Sequence, residues 1–96
     1  MSVVQIVALE AAADKGDELR PLLEGGRDVA LAVEGCEGFE IYRSQEKPEA
    51  FVMIERWASA EQHQGHFQAN VVESGVIERV SAMLAKPMEY GYFEQI

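Results

Sequence analysis

Glu55 stands in a setting where a carboxylate could do chemistry. It falls between Met53 and Trp57, and these alternate residues would share one face of a β-strand. A carboxylate on such an apolar face loses hydration, which raises its pKa and allows it to act as a base. The structural alternative is an ion pair with Arg43 across a hairpin. We take Glu55 as a candidate catalytic residue.

His63 and His66 are the two histidines of the sequence, and their spacing puts them on one face of a helix. A neutral imidazole can hydrogen-bond a substrate hydroxyl or take its proton, so His63 is a second candidate catalytic residue. A pair of histidines alone does not specify a metal site, because zinc requires further ligands. We therefore predict no metal site. Helix packing or a surface position is the alternative for the pair.

Aromatic and apolar residues near these groups could form the wall of a binding pocket. An aromatic cavity suits a planar substrate, and we place Trp57 at its wall. The other predicted substrate-binding residues are His66, Phe67, Phe39 and Met53. The aromatic members of this set fit a hydrophobic core equally well, as do Tyr90 and Tyr92. Cys36 is interpreted as a small buried residue rather than a nucleophile, since the spacing supplies no evident histidine partner.

The hydrophobic pattern predicts the elements that position these residues. Strands are predicted at residues 3–10, 36–44, 50–58 and 88–94. An amphipathic helix of about 17 residues, with Asp17 at its N-cap, follows the first strand and ends at Gly35. The capping-box sequence from Ser59 to Gln62 starts a second helix. That helix is expected to bend near Ala69 and Asn70, before a further helical segment at 76–84.

The resulting order, β-α-β-β-α-α-β, predicts an α+β, ferredoxin-like fold with helices on one face of an antiparallel sheet. A chain of 96 residues is expected to form one domain, spanning residues 1–96. It is too short to supply a second layer of helices for the other face of the sheet. Pairing with a second copy would cover that face, so we predict a homodimer.

Net charge and cysteine content limit the classes of partner and the cellular compartment that we expect. The net charge is −9, from 17 acidic and 8 basic residues, and it repels phosphate backbones and anionic lipids. We therefore expect neither nucleic acid nor membranes as partners. With Cys36 as its one cysteine the chain forms no internal disulfide, and the start MSVVQIVALE lacks the basic region of a signal peptide. We expect a cytoplasmic protein.

The stretch from Gly35 to Phe67 resembles the signature of the antibiotic biosynthesis monooxygenase family. The segments GCEGFEIYRS and PEAFVMIERWASAEQHQGHF contain a G-C-x-x-F/Y strand start, a V-x-x-E-x-W strand and a helix opening S-x-E-x-H-x-x-H. The resemblance implies a dimeric α+β barrel, in which two sheets pack face to face and each subunit has a pocket between sheet and helices. It also implies an enzyme that oxidises phenols or quinols without metal or flavin.

The chain departs from two branches of that family. The haem-degrading branch has a tryptophan about where Gly65 stands and a histidine beyond the position of His66, so the resemblance does not extend to haem degradation. The actinorhodin-pathway type has a tryptophan matching Trp57, with an asparagine where this chain has Met53. A helical tyrosine of that type lines up with His63. The resemblance therefore implies a pocket in the same place with different chemistry.

The resemblance implies a cofactor-independent monooxygenase that oxidises a phenolic or quinol-like small molecule with O₂, which is the leading hypothesis. Deprotonation makes such a substrate electron-rich enough to reduce O₂ directly, so the protein supplies a base and a dry aromatic pocket. No cofactor is expected, since the sequence lacks a glycine-rich nucleotide loop. Two alternatives remain open: a lyase or isomerase of a small polar metabolite, and a non-catalytic dimeric ligand-binding protein.

Overall fold

The computed structural model describes residues 2–96, in which four strands and three α-helices confirm the predicted α+β fold. The strands are β1 (Val3–Glu10), β2 (Cys36–Arg43), β3 (Ala50–Trp57) and β4 (Glu89–Phe93). The helices are α1 (Gly16–Leu31), α2 (Ala60–His66) and α3 (Val76–Ala82). Between α2 and α3 the chain forms a π-helical segment, Phe67–Val72. The strand ends agree with the sequence-based prediction to within one residue.

The four strands form one antiparallel sheet in the order β2-β3-β1-β4. The central strands β1 and β3 carry the most apolar sequences, as expected for strands with neighbours on both sides. Their register aligns one residue from each strand in a row across the sheet, which we call the site row. Its members, in sheet order, are Phe39, Glu55, Gln5 and Tyr92.

One face of the sheet packs against the helices and forms the hydrophobic core. Val7, Leu9 and Phe51 contribute from the sheet, Leu19 from α1 and Val80 from α3. Because side chains alternate along a strand, this face is the one that also carries the site row. Among residues 2–96, no helix combines the length and the apolar character needed to cross a membrane.

The opposite face, which we call the outer face, has both apolar and charged residues. Its large apolar residues are Val4, Ile6, Tyr42, Val52, Ile54 and Phe93, and Glu40, Arg56 and Glu89 share the face with them. Tyr42, Val52 and Phe93 are 52%, 37% and 53% exposed, so large hydrophobic side chains meet solvent here.

The start of α1 differs from the prediction, which placed Asp17 at the N-cap. The N-cap is Lys15, and Asp17 lies in the first turn of the helix. Its carboxylate accepts a hydrogen bond of 2.9 Å from Arg43 on β2. Gly16 allows this approach, because a Cβ atom there would lie 2.6 Å from the Arg43 guanidinium. Arg43 therefore pairs with Asp17. Its ion pair with Glu55, the alternative considered for that residue, does not form.

The start of α2 confirms the predicted N-cap at Ser59, the first half of the capping box. Ser59 is the N-cap, and its hydroxyl accepts a hydrogen bond of 3.2 Å from the backbone N–H of Gln62. The cap fixes where the helix begins and so determines that His63 and His66 face the sheet. The bend predicted near Asn70 takes the form of the π-helical segment, a geometry that is rare and often found at functional sites.

Candidate functional site

A cavity of about 1240 Å³ lies between the sheet and the helices. Its wall is mostly apolar, and the site row contributes its polar groups from the sheet side. The next row along the sheet, which includes Met53, Val7 and Tyr90, is apolar and aromatic apart from the Tyr90 hydroxyl. The volume exceeds the usual range for a small-molecule site, and few polar groups converge in it, as is typical of a ligand pocket.

Glu55 is the most buried acid of the site and lines the cavity from β3. Only 5% of its surface is exposed. Its Oε1 atom accepts a hydrogen bond of 3.1 Å from the indole N–H of Trp57, two residues along the same strand face. Burial raises the pKa of Glu55 above its ordinary value, and the hydrogen bond from Trp57 opposes part of that rise. The pKa of this carboxyl group therefore lies closer to neutral pH than the pKa of an exposed glutamate.

His63 faces Glu55 from α2. Its Nε2 atom lies 3.8 Å from Glu55 Oε1, and its Nδ1 atom is 2.6 Å from the Tyr92 hydroxyl. Burial, and then the neighbouring His66, lower the pKa of His63 to about 4, so the ring is neutral at pH 7 and the contact with Glu55 is not an ion pair. When the Tyr92 hydroxyl donates to Nδ1, the ring hydrogen is on Nε2 and faces Glu55.

The 3.8 Å separation between His63 Nε2 and Glu55 Oε1 is too long for a direct hydrogen bond. An oxygen atom beside this pair, about 2.8 Å from each of the two atoms, is within hydrogen-bond distance of both. A hydroxyl placed there would donate to the carboxylate and accept from the imidazole N–H. The arrangement can therefore remove a proton and hold the oxyanion that remains.

His66 and Trp57 support this pair. The His66 ring stacks on the Trp57 indole at 5.1 Å between ring centres, and its Nδ1 atom is 3.0 Å from the Asn70 side-chain nitrogen. Trp57 also meets the His63 ring edge-on at 5.5 Å. Burial lowers the pKa of His66 as well, so both imidazoles are held in the neutral form. The π-helical segment, through Asn70, helps to fix the orientation of His66.

The structure brings most of the sequence-predicted site residues to the cavity wall. These are Glu55, His63, His66, Phe67, Phe39 and Met53. Trp57 is placed differently from the prediction, which put it at the wall. It is fully buried, and it lies behind Glu55 and the two histidines. The indole is large enough to fill that space, and its N–H finds a partner in the carboxylate, so it fixes the acid rather than facing a ligand.

Two residues of the site were missed as functional candidates. Gln5 lines the cavity beside Glu55, and its polar side chain within the apolar strand VVQIVAL was the available signal. Tyr92, grouped above with possible core residues, is 42% exposed, and its hydroxyl binds His63. Its contact with His63 could not be inferred from the spacing of residues, because β4 and α2 are distant in the sequence and come together only in the folded chain.

The part of the chain that the structure describes contains no cluster of three or more His, Cys, Asp and Glu residues arranged to hold a metal ion. The two imidazoles are each turned to a protein partner instead. His63 meets Tyr92 and His66 meets Asn70.

Comparison with known proteins gives a family match and a consistent fold. The family model described as antibiotic biosynthesis monooxygenase matches residues 2–76. A conserved protein from Methanosarcina mazei is similar at a TM-score of 0.90 and 20% identity, covering 100% of this chain and 94% of the other. Rv0793 from Mycobacterium tuberculosis is similar at a TM-score of 0.88 and 21% identity, covering 100% and 96%.

A third similar structure has a described activity. SnoaB, a cofactor-independent oxygenase from Streptomyces nogalater, has a TM-score of 0.83 and 14% identity, covering 98% of this chain and 92% of the other. At these identities the likeness shows a shared fold. No curated protein sequence matches the chain.

Proposed function

The chain belongs to the antibiotic biosynthesis monooxygenase family, and we propose that it is an oxygenase that oxidises a phenolic or quinol-like small molecule with O₂, without metal or flavin. The observation that carries this proposal is the buried Glu55–His63 pair, open to a large apolar cavity. An acid and a neutral imidazole that share one gap can deprotonate a hydroxyl in surroundings from which water is largely excluded.

Glu55 is the base in this proposal. General-base catalysis is most efficient when the pKa of the base lies near the working pH. Burial raises the pKa of Glu55 toward that range and lowers the pKa of His63 to about 4, away from it. The substrate hydroxyl donates its proton to Glu55, while the Nε2–H of His63 donates to the oxygen and stabilises its developing negative charge.

The phenolate formed in this way is the reductant. A ring carbon para to the oxyanion gives its electrons to O₂ and forms a C–O bond, and the O–O bond then breaks. One oxygen atom stays on the ring as a quinone carbonyl, while the other leaves as water with the two hydrogens that the ring carbon and the hydroxyl have lost. The substrate supplies all the electrons, so the balanced reaction converts a phenol and O₂ into a quinone and water. The protein contributes a base and an oxyanion donor.

The remaining cavity residues have binding and positioning roles in this proposal. Phe39, Met53 and Phe67 supply apolar and aromatic surface for a planar ring. His66 lies at the wall beside His63 and contacts one edge of the substrate. Trp57 is a positioning residue, because its indole N–H holds Glu55 Oε1 and its ring supports both imidazoles.

We also propose that the protein is a cytoplasmic homodimer in which two outer faces pack together. The support is the large apolar side chains that this face exposes, Tyr42, Val52 and Phe93. Burial of apolar surface contributes about 25 cal/mol per Å², so removing these side chains from water favours pairing with a second copy. The helices and the cavity lie on the other face, so pairing leaves the site accessible.

Oxygen uptake tests the proposed function. The protein is mixed with 1-naphthol or with its hydroxylated derivatives after treatment with a chelator, and O₂ consumption and quinone formation are recorded together. The proposal expects equal amounts of O₂ consumed and quinone formed, at a rate proportional to protein concentration. Binding of these compounds without O₂ consumption would contradict it and favour a ligand-binding protein.

A further inference from the structure

Gln5 presents a buried polar atom that the proposed reaction does not use. Its side chain is 6% exposed, and its Oε1 atom lacks a hydrogen-bond partner among the described residues. Leaving a buried acceptor unpaired is unfavourable, so an apolar residue at this position would stabilise the free protein. The cost is offset if a ligand supplies the missing donor, and Gln5 lines the cavity where a ligand would lie.

The position of Gln5 relative to Glu55 restricts what that donor can be. The two residues are directly paired across β1 and β3 and point to the same face of the sheet. Glutamine and glutamate side chains have the same length and branching. Extended alike from paired positions, they place their head groups about one strand spacing, roughly 4.8 Å, apart. That distance is comparable with the separation of two oxygens on meta carbons of one aromatic ring.

We propose that Gln5 determines specificity by accepting a hydrogen bond from a second hydroxyl of the substrate, so that the enzyme selects aromatic rings with two hydroxyls in a meta relationship. One hydroxyl lies in the gap between Glu55 and His63, and the other donates to Gln5 Oε1. The ring rests on the neighbouring apolar row. This inference rests on the proposed function for the identity of the reacting hydroxyl, and it adds the second recognition point.

Binding without turnover tests the inference separately from the reaction. Calorimetric titration under argon compares 1,3-dihydroxynaphthalene with 3-methoxy-1-naphthol, which has the same ring but lacks the second donor. The native protein is expected to bind the diol about tenfold more tightly or better, the ratio that one satisfied buried acceptor provides. Equal affinities, including failure of the diol to bind, would overturn the proposal.

Two variants locate the effect at Gln5. Gln5→Leu should remove the preference for the diol while retaining binding of the methyl ether, whereas Gln45→Leu, the same change in an exposed loop, should keep the preference. The melting temperature of ligand-free Gln5→Leu should rise, because an unpaired buried acceptor has been removed. A lower melting temperature would show that the Gln5 amide is already paired within the protein, and would overturn the proposal.

Failure of the inference and failure of the proposed function give different results. If the diol preference depends on Gln5 but no O₂ is consumed, the recognition role stands and the oxygenase assignment is wrong. If O₂ is consumed and Gln5→Leu keeps the native preference for the diol, the oxygenase assignment stands and the role of Gln5 is wrong.

Discussion

The Nε2 atom of His63 lies 3.8 Å from Oε1 of Glu55, and burial moves the pKa values of the two side chains in opposite directions. His63 is neutral at pH 7. The carboxyl group of Glu55 keeps its proton to a higher pH than an exposed glutamate does. A hydroxyl between them would meet an acceptor and a donor at once.

Replacing Glu55 by glutamine should stabilise the protein in a pH-dependent way. The folded-state pKa of Glu55 is raised above 4.5, so the stability that its protonated form contributes is fully present below pH 4.5 and is lost as the pH rises through the folded-state value. Glu55→Gln remains neutral and can still accept from Trp57. Its melting temperature should exceed that of the native protein at pH 7.5, and the two should converge near pH 4.

His63 contributes a pH dependence of stability that has the opposite sign to that of Glu55. Because the pKa of His63 falls from 6.5 to about 4 on folding, its neutral form contributes stability above pH 6.5, which is lost as the pH falls toward 4. Glu55→Gln should retain this acid-side loss, since His63 is unchanged. A difference in melting temperature between Glu55→Gln and native protein that is the same at every pH would contradict the raised pKa of Glu55.

Tyr92→Phe should impair the reaction through His63 without disturbing the fold. The hydroxyl of Tyr92 is 2.6 Å from His63 Nδ1, and its removal frees the ring to take the tautomer that turns a lone pair toward Glu55. Turnover should fall by about tenfold or more, the loss expected for one partly buried hydrogen bond, with a smaller change in KM. Nitrogen NMR of the imidazole should show the altered tautomer.

Tyr90→Phe is the matched control for that variant. Tyr90 lies two residues from Tyr92 on the same strand face and is 70% exposed. Removing its hydroxyl should leave both turnover and the His63 tautomer unchanged. Equal effects of the two substitutions would mean that the contact between Tyr92 and His63 is not what matters.

The outer face should hold the homodimer together. Val52→Lys introduces a charge into that face and is expected to give a monomer of 10.7 kDa in sedimentation experiments. Val29→Lys makes the same change at a valine that is 49% exposed on α1, and should remain dimeric. A native protein that sediments as a monomer at micromolar concentration would contradict the proposal, because an interface of this kind should persist at that dilution.

Local sequence signals predicted the elements and much of the candidate site. Strand alternation placed Glu55 and Met53 on one face, and the cap at Ser59 set the phase of the helix that carries His63. Both depend on interactions within a few residues. The fold class followed from the order of these elements, and the family resemblance from their motifs.

Other features depended on contacts between distant segments. Gln5 and Tyr92 join Glu55 only through the register of β1 with β3 and of β1 with β4, which no local pattern specifies. Trp57 shares a strand face with Glu55 but does not face the cavity, because the two imidazoles of α2 pack against its ring. Asp17, predicted as the N-cap of α1, lies in the first turn instead, and its contact with Arg43 joins segments that are distant in the sequence.

Turnover by Glu55→Gln tests the central claim most directly. The measurement is the rate of O₂ consumption with a saturating phenolic substrate that the native protein oxidises, for native, Glu55→Gln and Gln45→Leu proteins. Removing the base should lower kcat by about 10²–10⁴-fold while substrate affinity changes little, and Gln45→Leu should match the native protein. A Glu55→Gln protein that consumes O₂ at the native rate would show that the Glu55–His63 pair is not the catalytic centre.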